Sequence, residues 1–164
     1  MSVDSMEKLF VEELRDIYSA ENQITKALPK MVKAATSNEL RTALEHHLRE
    51  TEEQVKRLEQ IFEMIGESSK GKTCEGMKGV LEEGDRTVND AKQGAVRDEA
   101  IISGCQRVEH YEMAAYGTVR TYAQNLGKQQ MVQLLDKTLE EEKAADRKLT
   151  EISNQVHSQA RRAA

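Results

Sequence analysis

Apolar residues Phe10, Leu14, Ile17, Ile24, Leu28 and Met31 recur at helical steps through the first part of the chain, with one step missing. That spacing places them on one face of a helix over about Ser5 to Ala35, and Glu21 occupies the missing step. Pro29 falls inside this helix, where the lost backbone donor predicts a kink or an early loosening of the last turn. Thr36-Ser37-Asn38 reads as a turn and N-cap, and a second helix runs from there to Ile65, ended by Gly66. Its inward face reads Leu40, Leu44, His47, Thr51, Gln54, Leu58, Ile61 and Ile65, so the centre of that face is polar. Residues 67–73 form a loop by composition, and Met77, Val80, Leu81 and Val88 mark a short helical segment from Cys74 to about Lys92. A third helix, about Val96 to Leu126, reads Ile101, Cys105, Val108, Glu112, Ala115, Val119, Tyr122 and Leu126, with Gly127 to end it. A fourth, about Lys128 to His157, reads Met131, Leu135, Thr138, Glu142, Ala145, Leu149 and Ile152. The pattern predicts an all-α chain of one domain over residues 1–164, with helical hairpins at 5–66 and 94–158, a crossover at 67–93 and a short tail at 159–164.

The two hairpins are related by a repeat. Sliding residues 5–61 forward by 91 positions without a gap lays Glu21 on Glu112 and Glu50 on Glu141. The same shift superposes Leu44 on Leu135, Leu48 on Leu139, Leu58 on Leu149 and Ile61 on Ile152. The acids therefore travel with a core pattern. Two hairpins that each bring one Glu per helix into a shared interior are what a dinuclear metal site in a four-helix bundle needs. A long crossover between helices 2 and 3 carries the second hairpin to the far side, as in ferritin-like bundles.

Composition narrows the class. Charged residues make up 32% and aromatics 4%, with no Trp and one Pro, which favours long helices over a sheet. The formal charge of −5 argues against nucleic acid as a main ligand. No apolar run reaches a membrane span, and the N-terminus lacks the basic and apolar regions of a signal peptide, so the expected location is the cytoplasm. Cys74 and Cys105 have no metal-like spacing and are expected to be reduced.

A carboxylate on a buried seam must protonate, pair with a cation or bind metal. Four of them at one level call for compensating charge, and hard oxygen donors with an occasional imidazole suit iron or manganese. Glu21 and Glu112 interrupt apolar stripes. Glu50 and Glu141 lie one position off the strict seam, where an exposed flanking charge is the rival role, and Glu142 competes with Glu141. His47, one turn before Glu50, and Glu109, one turn before Glu112, can reach the same cations. The expected metal set is thus Glu21, Glu50, Glu112, Glu141, His47 and Glu109, holding two iron or manganese ions. Tyr18, Tyr116 and Gln54 border it, either as hydrogen-bond partners of the ligands or as ordinary packing. His110 should face outward.

Four segments carry a family resemblance: Asp16 to Glu21, His47 to Gln54, Val108 to Glu112 with Tyr116-Gly117, and Thr138 to Lys143. In these, over nearly its whole length, the chain resembles the YciE/YciF family of ferritin-like bacterial proteins. The resemblance implies a four-helix bundle with one extra helix, a homodimer, kinship with rubrerythrins and manganese catalases, and a link to stress responses. It does not supply an activity. One departure stands out: many ferritin-like relatives carry Glu-x-x-His on helices 2 and 4, whereas Glu53 and Ala144 occupy the positions three after Glu50 and Glu141. Three roles follow: a metal pair that reacts with peroxide or dioxygen, a protein that binds metal without turnover, and a structural bundle with a vestigial site.

Overall fold

The computed structural model describes residues 3–163, with side chains to residue 158. Its helices are α1 (Met6–Ala34), α2 (Asn38–Ile65), α3 (Glu75–Asp90), α4 (Ala95–Asn125) and α5 (Gln129–Ala163), and the described residues contain no strand. Helix α5 runs past the expected end at His157. Pro29 lies inside α1 without ending it, because the chain stays helical to Ala34.

The ends are set by local chemistry. Ser5 and Ser37 each accept a backbone N–H from the first turn of the helix they precede, which satisfies a donor that has no partner within the helix. Gly66, at φ 69°, closes α2 in the left-handed region, a conformation that costs a residue with a Cβ more than it costs glycine. Asp98 of α4 was not anticipated from the pattern. It is buried, and its Oδ1 and Oδ2 accept the backbone N–H groups of Thr36 at 2.7 Å and Ser37 at 2.9 Å. A carboxylate from the second hairpin thereby holds the turn of the first.

Helix α1 packs on α2, α2 on α5, α5 on α4 and α4 on α1, so the four long helices close a ring. Helix α3 lies outside it, against α4 and α1. Its start is moored by Cys74, whose Sγ is 3.0 Å from Tyr111 Oη and whose N–H donates to Ser19 Oγ at 2.9 Å. Gly76 makes room for the Tyr111 ring, since a Cβ there would sit 2.7 Å from Oη.

The interior has two apolar clusters. One includes Phe10, Leu14, Ile17, Leu58, Ile61, Val119 and Leu135; the other includes Ile24, Leu28, Leu40, Leu44, Ile101, Leu149 and Ile152, together with Met77 of α3. Fully burying a side chain such as Leu14 or Leu40 contributes about 1.5–3 kcal/mol. Along the sequence of each long helix, a polar stretch separates the two clusters, and its buried members are Glu21, His47, Thr51, Gln54, Glu109, Glu112, Thr138 and Glu142.

Candidate metal centre

Each ring helix contributes to this polar layer. Glu21 stands on α1, His47 on α2, Glu109 and Glu112 on α4, and Glu142 on α5. One ligand atom from each of His47, Glu109, Glu112 and Glu142 lies within 4.8 Å of the others, and all four residues are buried. Glu21, also fully buried, joins them through its neighbours: Tyr116 Oη donates to its Oε1, and the charges of Glu142 and His47 act on it.

Few of these donors are satisfied within the protein. Both oxygens of Glu112 and of Glu142, one oxygen of Glu21 and one of Glu109 are buried with no hydrogen-bond partner among the described residues. His47 Nε2 lies 3.1 Å from Glu109 Oε1, yet neither ring nitrogen makes a well-directed hydrogen bond. Loss of hydration pushes Glu21 up to about 8, and the nearby charge of Glu142 adds to the effect. Burial likewise pushes Glu109 up to about 7. Glu112 rises well above the ordinary carboxylate range through burial and then repulsion by Glu142 and Glu21, and Glu142 through burial and then its contact with Glu109, which favours the protonated form. Without compensating positive charge, the layer holds protons near neutrality, where ordinary glutamates have already released them.

The remaining expected ligands lie elsewhere. Glu141 points to Arg57, which donates from Nη1 to Oε2 at 2.6 Å and from Nη2 to Oε1 at 2.7 Å, while Gln54 Nε2 donates to Oε2 at 3.2 Å. On α5 the structure therefore brings Glu142, and not Glu141, to the cluster. The apolar stripe of that helix, Leu135, Thr138, Glu142, Leu149, points to Glu142, whereas the gapless repeat points to Glu141. Glu50 is half-buried and pairs with His46 at 3.2 Å, beside the cluster and outside its closest group. Under the repeat, the residue equivalent to Glu142 is Thr51 and the one equivalent to His47 is Thr138, and both threonines are buried.

Of the bordering residues, Tyr116 donates to a cluster acid directly, and Gln54 donates to Glu141 while also favouring the charged form of Glu142. Tyr18 turns away to donate to Glu59 and packs edge-on against Phe62. His110 faces outward and pairs with Asp146. Cys74 and Cys105 are both free and buried. No helix among the described residues is long and apolar enough to cross a membrane.

The donor set, carboxylate oxygens with one imidazole around unpartnered buried atoms, could hold a metal ion and suits a hard or borderline cation better than a soft one.

Comparison with known proteins gives a consistent relationship. The chain is 41% identical over 162 residues to protein YciF of Escherichia coli strain K12, covering 98% of each. The crystal structure of the E. coli stress protein YciF superposes with a TM-score of 0.92 at 39% identity, over 95% of this chain and 99% of that one. YcfI of Rhodopseudomonas palustris, described as a candidate structural protein, gives a TM-score of 0.88 at 45% identity, over 92% of this chain and 97% of that one. A family model described as "Domain of unknown function (DUF892)" matches residues 5–162. The chain belongs to this family, the one that includes the YciF-like stress proteins.

Proposed function

We propose that this chain is a ferritin-like protein, one domain folded as a four-helix bundle of α1, α2, α4 and α5 with α3 added, that binds a pair of iron or manganese ions. The carrying observation is the layer of buried acids on α1, α4 and α5, with His47 of α2 among them and with carboxylate oxygens that no protein group among the described residues satisfies. Glu21, Glu109, Glu112, Glu142 and His47 would hold the ions, and Glu50, whose charge acts on Glu109, would be a further carboxylate if His46 releases it. Glu141 remains with Arg57.

Such a pair supplies electrons to peroxide or dioxygen when bound, and reaction with one of these is the role we assign it in the stress response. The residues of the chain do the rest. Tyr116 fixes the orientation of Glu21 by hydrogen-bonding one oxygen and leaving the other free. The apolar clusters above and below flank the layer with low-dielectric material, which strengthens the charge interactions within it. The protein is expected to act as a soluble cytoplasmic homodimer, without nucleic acid or membrane partners.

The test is elemental analysis of protein reconstituted under reducing conditions, with peroxide consumption assayed on the same sample. Expected are about two ions per wild-type chain, peroxide consumption, and loss of stoichiometric binding in folded Glu21→Ala and Glu112→Ala. Retention of both ions in either variant would overturn the ligand assignment. Metal without peroxide consumption would leave a binding or sequestering protein. No metal at all would leave a structural protein, the description given to the R. palustris relative.

A further inference from the structure

A cavity of about 290 Å³ lies between α1, α3 and α4 and reaches the polar layer at His47 and Glu109. Its walls are formed chiefly by apolar side chains, among them Ile24, Leu28, Val80, Leu81, Ile101 and Val108. A dry cavity of about 150 Å³ already takes benzene, so this one has room for a molecule of roughly twice that bulk. Helix α3 forms the roof. Val80 and Leu81 are only half-buried: they pack against the edge of the apolar cluster around Ile24 and Ile101 and also line the cavity. At the outer rim Lys30 pairs with Asp85, and Glu82 stands nearby.

The two ends differ in chemistry. The inner end offers the imidazole of His47 and one oxygen of Glu109, both deeply buried and without a directed partner. Cys105 lines the same end, and burial together with the charge of Glu109 pushes its thiol up to about 12, so it contributes a neutral wall. Acids at the inner end and an excess of acid over base at the rim disfavour an anionic ligand.

We propose that this cavity is a binding site for an uncharged, largely apolar organic molecule that carries a single hydrogen-bonding group, placed with that group at His47 and Glu109 and its apolar body under α3. The site rests on the cavity and its unpartnered inner atoms and is proposed for the metal-free chain, since ions in the acid layer would draw on the same His47 and Glu109. A second cavity of about 650 Å³ approaches the same His47, Cys105 and Glu109 from between α2 and α5, past Glu39, His46 and Lys148. Its lining carries more charged and ionisable side chains than that of the first, which assigns an uncharged, largely apolar ligand to the first.

The probe is N-phenyl-1-naphthylamine, uncharged and fluorescent in apolar surroundings, titrated into the full chain without added metal. Expected are saturable binding at one molecule per chain, displacement by 1-decanol, and displacement at least tenfold weaker by decanoate. Ala27→Phe on α1 and Val80→Phe on α3 fill the cavity from opposite walls; each should weaken binding at least tenfold while circular dichroism shows the fold retained. Ala144→Phe, which obstructs the other cavity, should leave binding unchanged. Absence of saturable binding, equal displacement by decanoate, unchanged affinity in folded Ala27→Phe and Val80→Phe, or loss of binding in Ala144→Phe would overturn the proposal. Metal content is read separately, so failure here leaves the metal reading intact, and failure there leaves this site intact.

Discussion

Tyr116 of α4 donates its phenolic hydrogen to Glu21 of α1, so the helix that carries Glu112 also positions the acid equivalent to Glu112 in the other hairpin. Tyr116→Phe removes that donor and leaves Glu21 buried with both oxygens unpartnered. Losing a buried hydrogen-bond partner costs about 1–3 kcal/mol. Urea unfolding of the metal-free variant should register a loss in that range, with the slope of the transition unchanged. An unchanged midpoint would mean that the Glu21 carboxyl finds another partner.

Glu141 and Glu142 are neighbours in sequence with opposite expected phenotypes. Glu142→Ala should lower metal stoichiometry and, by removing mutual repulsion among buried acids, leave the metal-free protein as stable as the wild type or more so. Glu141→Ala should retain metal but lose stability by about 1.5–3 kcal/mol, since Arg57 gives up two charge-assisted hydrogen bonds in a partly buried setting. Elemental analysis and thermal unfolding of the two variants check both halves, and loss of metal from Glu141→Ala would reverse the assignment on α5.

The acid layer also fixes the sign of the pH dependence. Glu21 and Glu109 are raised from ordinary carboxylate values to about 8 and about 7, so between the unfolded and folded values the folded chain binds more protons than the unfolded one. Stability of the metal-free protein from these groups is fully present below the unfolded value near 4.5 and falls as pH rises towards about 8. Bound cations compete with those protons, so metal affinity should rise over the same interval. Thermal melts at several pH values, with and without manganese, would show a falling curve that flattens on metal addition; a metal-free protein that gains stability across this window would contradict the reading.

Asp98 joins the two hairpins by accepting two backbone donors from the turn between α1 and α2. Asp98→Ala leaves those N–H groups without their acceptor and should cost about 2–4 kcal/mol, as the loss of two bonds to a charged group implies. Asp98→Asn can keep one acceptor and should recover part of the loss. Equal midpoints for Asp98→Ala and the wild type in denaturant titrations would show that the turn needs no such support.

The long helices were legible because apolar residues recur every three or four positions and because Ser37, Gly66 and Gly127 mark their ends. Glu21 and Glu112 were legible for the same reason, as acids standing where an apolar residue belongs. On α4 the stripe was less decisive: Tyr116 and Ala123 are buried where Ala115 and Tyr122 were expected, a rotation of one position within a helix whose polar and apolar residues are poorly segregated. Glu141 and Glu142 exposed a conflict between two signals. The repeat records ancestry-like correspondence of backbone positions, whereas the stripe records which side chain faces inward, and only the second decides a ligand. Asp98 was illegible because its partners are backbone groups more than sixty residues away in sequence, and a pattern of side chains carries no trace of them.

The polar layer draws three acids from the second hairpin and one, Glu21, from the first, with Thr51 and Thr138 standing at the positions equivalent to Glu142 and His47. Two hairpins related by a sequence repeat therefore enclose an interior that is lopsided in charge. Two cations held there would not be equivalent: the position nearer Glu109, Glu112 and Glu142 faces the greater negative charge. Stepwise titration should fill that position first and the other at distinctly higher free metal, so the protein would pass through a singly loaded form that a symmetric site would not accumulate.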